Sequence, residues 1–175
     1  MYLISIYFDE KTNETIQNYI DKVAEMTGNF YMKDMKVPPH MTIVALEARN
    51  EDRVREAFER TVKRLSAGKV QWMSVGAFLP YVLFVTPVLN TYLHELSSIL
   101  FDELSSVEDV KISSYYRPFS WQPHTTVGKK LTSQEMKIAF EVLQERFVPF
   151  EGSVVKIGLA KPNPYKDIAT YVLKE

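Results

Sequence analysis

Pro39-His40-Met41-Thr42-Ile43 and Pro123-His124-Thr125-Thr126-Val127 are the same phrase written twice, eighty-four residues apart. Two of the three histidines of the chain stand in it, each preceded by Pro and followed at the second position by Thr and then by a β-branched residue. In an extended strand alternate side chains share a face. His and Thr therefore point the same way, while Ile43 and Val127 point into the opposite, packed side. Each copy offers one imidazole and one hydroxyl together.

Working outward from the first copy, Tyr2 to Phe8 is rich in β-formers and reads as a buried strand. Ile16, Ile20, Val23 and Thr27 recur at helical spacing before Gly28, which predicts a helix over 13–27 with a left-handed stop. A loop carrying Phe30, Tyr31, Lys33 and Lys36 leads into the motif strand, 40–47. Asn50 can cap the next helix, whose Val54, Phe58, Thr61, Val62 and Leu65 form one face and which Gly68 closes. Val70 to Leu79 and Tyr81 to Pro87 are β-rich runs around Pro80, a hairpin or tight strand connection.

The second half keeps that order. Leu89, Leu93, Leu96, Leu100 and Leu104 mark a helix, and an irregular segment through Tyr115, Tyr116, Arg117, Pro118, Phe119 and Trp121 delivers the second copy. Thr132 and Glu135 form a capping box, with Met136, Phe140, Leu143 and Phe147 as the core face of the helix that follows. Glu151 to Ala160 and Asp167 to Leu173 are the closing strands, parted by the turn-rich Lys161-Pro162-Asn163-Pro164-Tyr165. Residues 2–79 and 81–173 thus read alike, and Val75-Gly76 is matched by Ile157-Gly158. The pattern predicts an internal duplication within one compact domain of two lobes, spanning 1–175.

Composition narrows the chemistry. With 175 residues, 46% of them hydrophobic, the chain can bury a full core. A formal net charge of −1 argues against coating long duplex nucleic acid, which needs a broad basic surface, but leaves a small anionic ligand open. There is no cysteine, which removes thiolate nucleophiles, disulfides and cysteine metal sites. The opening Met1-Tyr2-Leu3-Ile4-Ser5-Ile6-Tyr7-Phe8 has no basic leader, and no apolar run reaches membrane-spanning length, so a cytoplasmic protein without a membrane partner is expected.

Two imidazoles in two matched halves suit displacement at phosphorus. The attacking and leaving oxygens lie on opposite sides, so an acid and a base must flank the phosphorus from opposite directions. Histidine can serve as either near neutrality, and threonine hydroxyls can donate to the non-bridging oxygens. These residues resemble the two-histidine (2H) phosphoesterase superfamily, which includes the 2′-5′ RNA ligase-like proteins and 2′,3′-cyclic phosphodiesterases. The resemblance rests on His40-x-Thr42 and His124-x-Thr126, on the hydrophobic residue after each Thr, on the Trp121-x-Pro123-His124 approach, and on the element order across nearly the whole chain. It implies an α+β fold, bilobal and pseudo-twofold, with two antiparallel sheets lining a central groove and helices outside. It also implies chemistry without metal or other cofactor on cyclic phosphates or 2′-5′ phosphodiesters. His40 and His124 match the acid–base pair; Thr42 and Thr126 match the phosphate-holding hydroxyls.

The expected partner is a nucleotide or RNA terminus bearing a cyclic phosphate, taken by a monomer. A non-catalytic binder of nucleotides or RNA ends that keeps the groove is the alternative. Tyr116 and Arg117 are candidates for the substrate rim, where an aromatic and a cation could stack a base and hold a second phosphate. Trp121 has the opposite parity to His124 and reads as core, and His94, on a helix flank, as surface or helix packing. A metal site reads poorly, because no third ligand falls at zinc spacing beside either motif.

Overall fold

The computed structural model describes residues 1–174. In chain order the elements are β1 (Tyr2–Phe8), α1 (Glu10–Thr27), α2 (Tyr31–Asp34), β2 (Met41–Glu47), α3 (Glu51–Val62), β3 (Gly68–Phe78), β4 (Val82–Pro87), α4 (Thr91–Ser105), β5 (Lys111–Ile112), β6 (Thr125–Lys129), α5 (Ser133–Arg146), β7 (Phe150–Pro162) and β8 (Tyr165–Val172). A single 3-10 turn, Ser114–Tyr116, lies between β5 and β6.

The eight strands are antiparallel and follow the order β5-β2-β1-β7-β3-β4-β6, with β8 also on β7. The long strand β7 is where this sheet forks. Its edge opposite β1 is taken first by β3, at Phe150 to Val154, and then by β8, from Lys156 to Pro162. The two antiparallel sheets implied by the resemblance are the two arms of this fork, hydrogen-bonded to each other through β3 and β7. The break at Pro80 does not separate the arms: β3 stays with β4 and β6, while β7 stays with β1 and β2.

Helix ends follow local chemistry. Asp9 accepts from the Thr12 backbone N–H and hydroxyl at the start of α1, and Gly28, at φ 73°, ends it. Asn50 caps α3, and Thr132 with Glu135 forms the capping box of α5. Helix α1 packs on α5, and α3 on α4. On α5 the buried face is Met136, Ala139, Val142 and Leu143; Phe140, expected in the core, is 38% exposed. The spacing of Phe140 fits either edge of the apolar stripe, and the compact Ala139 takes the inner position.

Strand β1 shows how the sheet presents a site. Tyr2, Ile4, Ile6 and Phe8 are buried in the core, and the alternate residues Leu3, Ser5 and Tyr7 line a cavity on the other face. The core continues through Trp72, whose ring stacks on Phe150 at 4.9 Å and meets Phe8 edge-on at 4.9 Å. Its indole N–H donates to the Thr125 hydroxyl, joining β3 to the second motif.

Candidate active site

Both histidines are held in the same way. The Nδ1 of His40 lies 2.9 Å from the carbonyl oxygen of Pro38, and that of His124 lies 2.8 Å from the carbonyl oxygen of Gln122. A carbonyl can only accept, so each Nδ1 carries the proton and donates it, which leaves Nε2 as the free nitrogen. The proline between carbonyl and histidine explains the first letter of the repeated phrase. Its ring fixes φ, and it biases the preceding residue toward extended geometry, so the chain folds the i−2 carbonyl back onto the imidazole. Pro39 and Pro123 are both buried, and the Thr86 hydroxyl donates to the Pro123 carbonyl at 2.7 Å.

His40 lines a cavity of about 150 Å³ with Ser5, Tyr7, Thr126, Lys129 and Tyr165. His124 lines one of about 520 Å³ with Phe78, Tyr116, Thr126 and Lys129. Thr126 and Lys129 belong to both walls, so the two spaces meet at these residues. Thr42 is more recessed: it is buried, and its hydroxyl lies 3.2 Å from that of Ser5, which itself faces the first cavity. Three of the four motif residues thus line connected space, and the fourth reaches it through Ser5.

Electrostatics are shared across the pair. Burial holds the His40 pKa below its ordinary value, opposed by the Pro38 carbonyl and reinforced by the charges of His124 and Lys129. Burial also lowers His124, against the Gln122 carbonyl. Aromatic rings brace both imidazoles: Phe78 meets His124 edge-on at 4.8 Å, Phe84 lies 5.2 Å from it, and Tyr7 lies 6.2 Å from His40.

The two rim candidates are placed differently. Tyr116 is half-buried in the His124 cavity, with burial raising its phenol pKa, and Tyr115 lines the same wall while 79% exposed. Arg117 is exposed and lines neither cavity. Trp121 is buried, and its indole N–H donates to the carbonyl of Thr42 at 3.1 Å. His94 is half-buried on α4 and packs against Phe119 at 4.2 Å, away from the groove.

Lys129 is the cation that strand parity hides. Strict alternation puts residue 129 on the face opposite His124 and Thr126. The pairing of β4 with β6 slips between Leu83 and Phe84, so that Gly128 faces Leu83 but Thr126 faces Phe84. The extra residue is a bulge, which inverts the parity and brings Lys129 to the groove. Among the described residues no three His, Cys, Asp or Glu side chains gather as a metal site.

The 2'-5' RNA ligase superfamily model matches residues 12–164. The chain belongs to this superfamily. Solved structures share its fold at low identity. LigT of E. coli complexed with 3'-AMP is 14% identical, with TM-score 0.65 over 99% of this chain and 98% of that one. LigT complexed with NADP+ is 13% identical, TM-score 0.63, over 99% and 97%. A phosphoesterase crystal structure is 13% identical, TM-score 0.60, over 99% and 98%. No curated protein matches the chain by sequence. Membership supports an enzyme with phosphoesterase or RNA ligase-like activity. Among the described residues no helix is long and apolar enough to cross a membrane.

Proposed function

We propose that the chain hydrolyses a cyclic phosphodiester at a nucleotide or RNA end, a 2′,3′-cyclic phosphate or close analogue, with His40 and His124 as acid and base. The observation that carries this reading is the matched pair of imidazoles, each with Nδ1 tied to an i−2 carbonyl, facing space joined at Thr126 and Lys129. One Nε2 takes a proton from water as its oxygen bonds to phosphorus. The other imidazole, as imidazolium, gives a proton to the ring oxygen that leaves, and the product is a phosphomonoester. The hydroxyls of Thr42 and Thr126 hold the non-bridging oxygens, Ser5 orients the first of them, and Lys129 offsets the charge that builds there. Superfamily membership supports the same class of reaction.

The test is turnover of a panel of 2′,3′-cyclic nucleotides in the presence of EDTA. His40→Ala and His124→Ala should each lose roughly 10²- to 10⁴-fold in kcat, with the double variant little worse because the pair acts as a unit. Thr126→Val should lose on the order of 10²-fold while the fold survives. Saturable binding without product in the unmodified chain would mean a binding protein instead.

A further inference from the structure

A third cavity, of about 280 Å³, shares the walls Tyr7 and Tyr165 with the His40 cavity and also receives Lys36, Lys156, Asp167 and Thr170. The two lysines come from distant segments, the loop before the first motif and the middle of β7. Neither forms an ion pair with a described residue, although Lys69 and Lys161 on the same sheet are paired with Glu151 and Glu51. The one carboxylate in this space, Asp167, already accepts from the Tyr165 hydroxyl at 2.7 Å. Burial raises the Tyr7 pKa, so its hydroxyl stays a donor. The cavity therefore has donors and, with two lysines against one carboxylate, a net positive charge, and it opens beside the reacting site. Its volume lies just under the range of about 300–1,000 Å³ that takes a whole small-molecule ligand, which suits a phosphate with part of its sugar.

Resting on the phosphoesterase reading above, we propose that this cavity binds a second phosphodiester of the same ligand, one linkage along from the reacting phosphate. The ligand is then the end of an oligonucleotide rather than a mononucleotide. Lys36 and Lys156 supply the charge, and Tyr7 and Tyr165 form the partition between the two phosphate sites.

The test isolates that one charge. Calorimetry compares a dinucleotide ending in a 3′-phosphate, the same molecule with an uncharged methylphosphonate linkage, and adenosine 3′-monophosphate as the one-phosphate control. The wild-type chain should prefer the charged linkage by roughly three- to tenfold, as two exposed ion pairs provide. Added salt should shrink the preference. In the double variant Lys36→Gln, Lys156→Gln the preference should vanish, with mononucleotide affinity changed by less than about twofold; both lysines are exposed, and the fold is checked by circular dichroism. Equal wild-type affinity for the two linkages would overturn the proposal, as would a preference that survives in the variant or an equal loss for the mononucleotide. Failure of all three ligands to bind would sink the phosphoesterase reading as well, whereas binding without a charge preference sinks only this one.

Discussion

A proline, a histidine and a carbonyl two residues back determine which imidazole nitrogen is left free here, twice over. Burial, together with the charges of His124 and Lys129 at His40, then holds both imidazoles below the ordinary histidine value. Two consequences have definite signs. The unfolded chain takes up protons near pH 6.5 that the folded chain refuses, so stability is lost as pH falls through that value. Calorimetric Tm should drop between pH 7.5 and 5.5, a window above most carboxylate titration, and phosphate in the groove should reduce the drop by favouring the charged rings. A Tm that holds steady or rises over that window would contradict the burial argument. In catalysis the same depression moves the bell of kcat/KM to lower pH, so its maximum should lie on the acid side of about 6.5, with two apparent values that belong to the pair.

At the scale of elements, each motif strand leans on a ring that crosses a glycine. Phe84 faces Gly76 across β3 and β4, and Tyr7 crosses Gly158 on β7. A Cβ at Gly76 would come within 2.5 Å of the Phe84 ring, which is buried between Phe78 and His124, whereas at Gly158 the nearest Tyr7 atom would be 3.0 Å away and the ring is only half-buried. The first ring cannot yield without moving His124. Gly76→Ala should cost about tenfold or more in kcat/KM and Gly158→Ala less, and adding Phe84→Leu to Gly76→Ala should restore part of the loss. Equal effects of the two alanines would show that the rings do not position the histidines.

The sequence was informative about these elements to the extent that the physics was local. The repeated phrase, the matched Val75-Gly76 and Ile157-Gly158, and the caps at Asn50 and Thr132 could all be read from neighbouring residues. What could not be read depends on register or on distant partners. The bulge that turns Lys129 inward is a property of how β6 pairs with β4, the forked edge of β7 is a property of two distant strands that take successive stretches of it, and the absence of Arg117 from both cavity walls depends on the path of an irregular segment. Short α2 and β5 likewise lack a periodic signal of their own.

For the molecule as a whole, the two motif histidines come from different arms of a forked sheet, and their separation must be fixed by contacts between the arms. Strands β3 and β7 tie the arms at one end. Beside the site the tie is Trp121, which leads into the second motif and donates its indole N–H to the carbonyl of Thr42 in the first. Because the indole is buried, removing that N–H leaves a backbone acceptor without its partner, at about 1–3 kcal/mol. Trp121→Phe keeps an aromatic ring in the core and deletes the bond. If the bond only added stability, Tm would fall and kcat at saturating substrate would be unchanged below the transition. If it also sets the spacing of His40 and His124, kcat should fall by about tenfold or more at a temperature where the variant is fully folded, since small misplacements of reacting groups are amplified in rate. We expect the second outcome. Mononucleotide affinity should change much less than kcat, because a single phosphate can follow either arm while proton transfer needs both. A variant with lowered Tm and undiminished kcat would instead assign the spacing to the other ties between the arms, the β3–β7 junction and the packing of α1 on α5.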